Sequence, residues 1–325
     1  NKEVWKKNAT PLYRETVFGT YYRYAKATAP ITENQSYDLV WKSSVSKITG
    51  NLTLYANITF NLYFKNDGYI KGVSYNGGET VRFTDDDIVK IGEDEYFLFK
   101  INTIAPKDLS KAFSLDVTLE NGETTATYSV KTSLVKYAGS VLKNDESELG
   151  NTLVLALLDY VRETSVSVGK VEEDFAGIQA IDACLAQYKY SRPEWTKPEE
   201  VITPEAGEIT GAALELVNTP GFVFFLKDSY KDTAEVTVTV NGAEKTYTVK
   251  SMVNEEGETK YYFTVDSIHI SNYRNDLNIT LGEQTFTYNL DVYMAGFTTT
   301  VPAYAHALYA YSVAAEAYLA AQNAD

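Results

Sequence analysis

The chain reads as mainly β with accessory helices: two tandem immunoglobulin-like β-sandwich units, each followed by an amphipathic helix. Three observations predict this. Two long stretches alternate apolar and polar residues and are broken by Asn-Gly turns, the pattern of antiparallel strands with one buried face. A stretch rich in proline, residues 191–208, separates them. Short motifs also recur at a near-constant offset: Ile48-Thr49-Gly50 matches Ile209-Thr210-Gly211, 161 residues on, and Gly122-Glu123 matches Gly282-Glu283, 160 residues on. That is the signature of an internal duplication.

Residues 1–30 are expected to be an N-terminal helix. Thr10 suits an N-cap with Pro11 behind it, and Tyr13, Val17, Tyr21 and Tyr24 share one face at helical spacing. The first sandwich is placed at 31–137. Leu52, Leu54, Ala56, Ile58 and Phe60 alternate with polar or small neighbours, and Asn66-Asp67-Gly68, Asn76-Gly77-Gly78 and Asn121-Gly122 mark hairpins. Ala105-Pro106-Lys107-Asp108-Leu109 reads as a crossover turn. A helical segment follows at 138–190, with one apolar stripe through Leu149, Leu153, Leu157 and Tyr160 and another through Phe175, Ile178, Ile181 and Leu185. Pro193, Pro198 and Pro204 among charged residues make 191–208 a linker. The second sandwich spans 209–302, where Asn241-Gly242 is the clearest hairpin, and a helix over 303–325 closes the chain.

Composition bounds the function. Of 325 residues, 44% are apolar, which suits a folded chain. Lys and Arg total 29 against 44 Asp and Glu, a net charge of −15 that repels nucleic acid and anionic membrane surfaces. No apolar run is long enough to span a membrane. The single cysteine, Cys184, lies in an apolar helical pattern and reads as an inert buried thiol. The chain opens on Asn1 without an initiator Met, as a mature chain relieved of a targeting segment would.

Thr127-Tyr128-Ser129-Val130, then Tyr137-Ala138, then a helix with Ala156-Leu157-Leu158-Asp159-Tyr160 resembles the repeat units of secreted or wall-attached proteins of Gram-positive gut bacteria. The second half keeps Tyr288 and an alanine-rich helix but lacks the Leu-Leu-Asp-Tyr core, and Val161 stands where the family usually has glycine. The resemblance implies an extracellular, non-catalytic binding role. Related surface systems include adhesins and proteins that hold starch.

Catalytic patterns are missing from the sequence. Only His269 and His306 are available as imidazole bases; His269 reads as a strand residue and His306 as part of the last helix. Asp85-Asp86-Asp87 lacks the spacing of a calcium loop and reads as a solvated turn or helix start. Neither enzyme activity, nor a cofactor, nor a metal is expected.

The aromatic surplus, 26 Tyr and 14 Phe, is the remaining clue. Flat rings that stack on a sugar's C–H face, beside polar groups that bond its hydroxyls, are how a glycan is held. The candidate ligand-binding residues are Tyr37 and Trp41 on one strand face, Tyr69, Tyr75 and Asn76 around a turn, and Trp195 in the linker. Trp41 also suits a sandwich core, and Trp195 a staple for the linker. The expected partner is a polysaccharide such as starch at the bacterial surface; the alternative is adhesion to a host or bacterial protein.

Overall fold

A computed structural model describes residues 13–16, 19–26, 48–54, 58–144, 147–169, 174–199, 207–215, 221–254, 256–266 and 268–323. The chain is mainly β, with four antiparallel sheets and a few helices, an arrangement compatible with sandwich packing. It divides into two compact units: residues 1–53, 59–104 and 109–145 form the first, and residues 54–58, 105–108 and 146–325 the second. The helices after residue 146 thus group with the second set of strands.

The first ten strands are β1 (Tyr13–Thr16), β2 (Gly19–Lys26), β3 (Thr49–Leu54), β4 (Ile58–Lys65), β5 (Ile70–Tyr75), β6 (Val81–Arg82), β7 (Ile88–Ile91), β8 (Asp94–Ile104), β9 (Phe113–Asn121) and β10 (Thr124–Thr132). They make a six-stranded sheet, β1-β2-β10-β9-β5-β6, and a four-stranded one, β3-β4-β8-β7. Period-2 alternation holds in β9, where Phe113, Leu115, Val117 and Leu119 are buried between half-buried neighbours. The expected N-terminal helix is instead the pair β1 and β2. Tyrosines and threonines favour extended backbone, and β2 finds a ladder on β10 from Thr125↔Lys26 to Val130↔Tyr21. Of the alternating run, Leu52 and Leu54 lie in β3 and Ile58 and Phe60 in β4, while Ala56 lies outside the described residues. A short helix, α1 (Leu134–Asn144), follows β10; its Tyr137 ring meets Phe60 edge-on at 5.9 Å.

The second unit holds α2 (Glu148–Ser167), α3 (Phe175–Gln187), β11 (Ile209–Glu215), β12 (Gly221–Leu226), β13 (Glu235–Val240), β14 (Ala243–Thr248), β15 (Lys250–Val253), β16 (Thr259–Val265), β17 (Leu277–Leu281), β18 (Gln284–Tyr288), α4 (Leu290–Ala295) and α5 (Ala303–Gln322). Its sheets run β11-β12-β16-β15 and β14-β13-β17-β18. Phe224 joins them: its ring lies 5.4 Å from Phe263 in its own sheet and 5.9 and 5.3 Å from Phe286 and Tyr288 in the other. Such aromatic pairs add to the free energy of burial itself.

Strand order repeats between the units. β3-β4-β8-β7 corresponds to β11-β12-β16-β15, and β6-β5-β9-β10 to β14-β13-β17-β18. Each set ends in a short helix and a 20-residue helix, α1 and α2 after β10, α4 and α5 after β18. The Ser147 hydroxyl caps α2 by accepting from Gly150 N at 3.1 Å. Tyr160 of α2 stacks on Tyr311 of α5 at 5.8 Å, beside the buried Ala307, Ala310, Ala314 and Ala315 of α5, small residues that allow close helix approach. The β-branched run from Thr164 continues α2 to Ser167.

Candidate functional site

Tyr37 and Trp41 lie outside the described residues. Tyr69 is half-buried in a turn whose Asp67 carboxylate accepts from Tyr69 N at 2.9 Å and Ile70 N at 3.2 Å. Tyr75 is half-buried with its ring 5.6 Å from Phe113.

Asn76 serves the turn. With φ of 49° it precedes Gly77 at 72°, the left-handed pair that an Asn-Gly turn takes. Its N–H donates to Ser114 O and its Oδ1 accepts from Ser114 N, both at 2.9 Å. Asn241 repeats the device with φ of 51° before Gly242 at 80°. Its N–H donates to Asn278 O at 2.9 Å and its Oδ1 accepts from Asn278 N at 2.8 Å. Each asparagine thereby pins the start of the neighbouring strand in its sheet, β9 beside β5 and β17 beside β13.

Trp195 is a fastening. Its Nε1 donates to Asp291 Oδ1 at 2.8 Å and its ring stands edge-on to His306 at 6.2 Å. Three residues earlier, Arg192 bonds both oxygens of Asp159 and also Glu163. The stretch expected to be a linker is therefore tied to α2 and α4 through residues 192 to 195.

His269 is not a strand residue but caps the 3-10 turn Ile270–Asn272, accepting from Ser271 N. His306 lies in α5, where burial, then the Arg192 charge, holds its imidazole below the usual range. Asp85-Asp86-Asp87 forms a 3-10 turn closed by Thr84, whose N–H and hydroxyl donate to Asp87 Oδ2 at 2.8 and 3.0 Å. Cys184 is buried, and desolvation raises its thiol pKa. Among the described residues no cluster of three or more His, Cys, Asp or Glu could hold a metal ion, and no helix is long and apolar enough to cross a membrane.

Two features of the second unit have binding geometry. The first is an aromatic shelf on the outward face of the sheet β11-β12-β16-β15. Register places Gly211, Phe225, Tyr262 and Lys250 in one cross-strand row, opposite in side-chain direction to the buried Phe224 and Phe263. Phe225 and Tyr262 are half-buried, with rings 6.2 Å apart. A Cβ on Gly211 would lie 3.7 Å from the Phe225 ring, so glycine leaves that ring face open. Met252, on the same face, is 45% exposed. Burial, then the Glu215 carboxylate, raises the Tyr262 phenol above its ordinary pKa. The sequence signal was present in Phe222-Val223-Phe224-Phe225, but composition alone does not say which ring of an aromatic run faces outward.

The second feature is a cavity of about 430 Å³ between residues 209–212 of β11, Phe286 and Tyr288 of β18, and Tyr293 and Phe297 at α4, with Phe224 also lining it. Burial pushes the Tyr288 phenol well above its ordinary range, while the Tyr293 hydroxyl pairs with that of Tyr304 at 2.7 Å. At the β11 end, the Gln284 side chain clips the main chain of Ile209, accepting from its N–H at 2.8 Å and donating to its carbonyl at 3.2 Å.

In comparisons with known proteins, no family model and no curated sequence matches the chain.

Proposed function

We propose that this is a non-catalytic, extracellular carbohydrate-binding protein, secreted or attached to the bacterial surface, built of two tandem immunoglobulin-like sandwich units. The repeated strand order supports the tandem plan, and the likeness of Thr127-Tyr128-Ser129-Val130 and Ala156 to Tyr160 to Gram-positive surface repeats supports the location. The observation that carries the binding reading is the row Gly211, Phe225, Tyr262, Lys250. A pyranose ring lies with its C–H face on one of the Phe225 and Tyr262 rings, which stand at 62° to each other, while Glu215 and Lys250 bond its hydroxyls, the mix of apolar wall and few polar anchors that orients such a ligand. A polysaccharide of the starch class is the partner this reading favours.

Affinity electrophoresis through gels containing starch, glycogen, xylan or mannan tests it. Retardation by one polysaccharide is expected, abolished by Phe225→Ala and Tyr262→Ala. Gly211→Leu covers the Phe225 ring and has the same effect without backbone strain, since Gly211 does not have a positive φ. Free migration in every gel removes the glycan reading. A second reading, adhesion to a protein, is favoured by the outer edge of β18, with which no strand pairs among the described residues.

A further inference from the structure

The cavity of about 430 Å³ in the second unit lies where its two sheets end, at β11 and β18, with α4 beside it. Small-molecule sites have volumes of roughly 300 to 1,000 Å³ and are mostly apolar with a few polar anchors. Phe224, Phe286 and Phe297 form aromatic wall here, and Gly211 and Ala212 keep the β11 side free of bulk. Among the described residues no carboxylate, amine, guanidinium or imidazole lines the cavity. The first unit differs at the matching place. Thr125-Ala126-Thr127-Tyr128 in β10 corresponds to Thr285-Phe286-Thr287-Tyr288 in β18, so a methyl group stands where the cavity has the Phe286 ring. β2 pairs along the outer edge of β10, whereas among the described residues no strand pairs with that of β18.

The polar anchor is Tyr288. It is 6% exposed, and its ring is held edge-on by Phe222 and Phe224 at 5.3 Å each. Among the described residues its hydroxyl has no hydrogen-bond partner. A buried hydroxyl left without a partner is costly, so a ligand oxygen that pairs with it gains affinity. Tyr293 also lines the cavity, and Tyr288 contributes to the raised pKa of its phenol, which puts the two groups near each other. The Tyr293 and Tyr304 hydroxyls share one hydrogen bond at 2.7 Å, which uses one of their two protons. Both phenols that line the cavity are neutral at pH 7, because burial holds their pKa values above the ordinary range.

We infer that this cavity is a second binding site, for a small uncharged molecule with a flat aromatic body and one hydroxyl or carbonyl oxygen. The body packs among Phe224, Phe286 and Phe297, and the oxygen pairs with Tyr288. An ion is rejected, because no lining group can neutralise it once it leaves water. A sugar is rejected as well, because it brings more hydroxyls than the two tyrosines can satisfy. The site is therefore distinct from the aromatic shelf, whose rings Phe225 and Tyr262 do not line the cavity.

Calorimetric titration of the full chain with naphthol, uncharged at pH 7, tests the inference, with naphthoate as a charged probe of similar shape. Saturable binding of naphthol is expected with a Kd below about 1 mM, and naphthoate is expected to bind at least about tenfold more weakly. Tyr288→Phe keeps the ring and removes the anchor, and is expected to weaken naphthol by about fivefold. Ala212→Leu, on the face of β11 that meets Phe224, fills the cavity and abolishes binding; circular dichroism establishes that this variant is folded, and Tyr288→Phe decides alone if it is not. Absence of saturation at about 1 mM naphthol, equal affinity for naphthoate, or unchanged affinity in Tyr288→Phe each overturns the inference. Loss of naphthol binding in Phe225→Ala with wild-type affinity in Tyr288→Phe places the probe on the shelf and overturns it too.

Discussion

Arg192 holds Asp159 by two parallel hydrogen bonds, Nε to Oδ2 at 2.6 Å and Nη2 to Oδ1 at 2.9 Å. The Asp159 side chain is only 6% exposed, so removal of the guanidinium would leave this carboxylate buried without its counter-charge, whereas Glu163 keeps Arg162 at 2.6 Å. Arg192→Ala is expected to cost about 3 to 5 kcal/mol in urea unfolding. Arg192→Leu combined with Asp159→Leu is expected to recover much of it, because an apolar pair removes the desolvation cost along with the attraction. Equal losses for the single and double variants would mean that the pair does not act as a unit.

The aromatic strand β12 separates core from shelf within two adjacent residues. Phe224 is fully buried between the sheets, and Phe224→Ala is expected to destabilise by about 3 to 5 kcal/mol. Phe225 faces outward and is only half-buried, so its loss should cost about 1 kcal/mol, in the ordinary range for a substitution away from the core. Denaturation midpoints of the two variants check this, and they also establish that loss of glycan retardation in Phe225→Ala is not unfolding.

Asn241 needs a left-handed backbone and a side-chain carbonyl at once. Asn241→Gly keeps the first and loses the second; Asn241→Ala loses both, with a left-handed strain of about 1 to 2 kcal/mol on top. Thermal unfolding is expected to rank wild type above Asn241→Gly above Asn241→Ala. The same order is expected at Asn76, because the two turns share their bonding.

Alkaline pH should unfold the second unit through its tyrosines. Burial raises the phenols of Tyr160, Tyr273, Tyr288, Tyr293 and Tyr311 above the ordinary 10.0. A raised folded-state value means that the fold prefers the neutral form. The resulting stability is fully present below pH 10 and is lost as pH rises past it. Absorbance at 295 nm should therefore show the exposed tyrosines titrating first and a delayed step coincident with loss of circular dichroism. A single smooth titration with the fold intact would contradict this. Tyr311→Phe should be neutral or stabilising near neutral pH, since it deletes a buried hydroxyl without a protein partner.

Local chemistry determined a good part of this protein from sequence. The Asn241-Gly242 hairpin was legible because only a left-handed pair closes a two-residue turn with the strand twist, and the last helix, read from residue 303, forms over Ala303–Gln322 because alanine and leucine favour it throughout. The near-constant offset between halves was also legible, since turn residues mark topology directly. Tertiary structure decided what periodicity leaves ambiguous. The N-terminal tyrosines fit a helical face equally well, and the edge of β10 drew them into β1 and β2. The hydrogen bond from Trp195 to Asp291, 96 residues away, is likewise a matter of tertiary structure. Phe224 and Phe225 are the same residue type in the same run; pairing with β11 and β16 sends one ring into the core and the other to the surface, because register is a property of neighbouring strands and not of the strand itself.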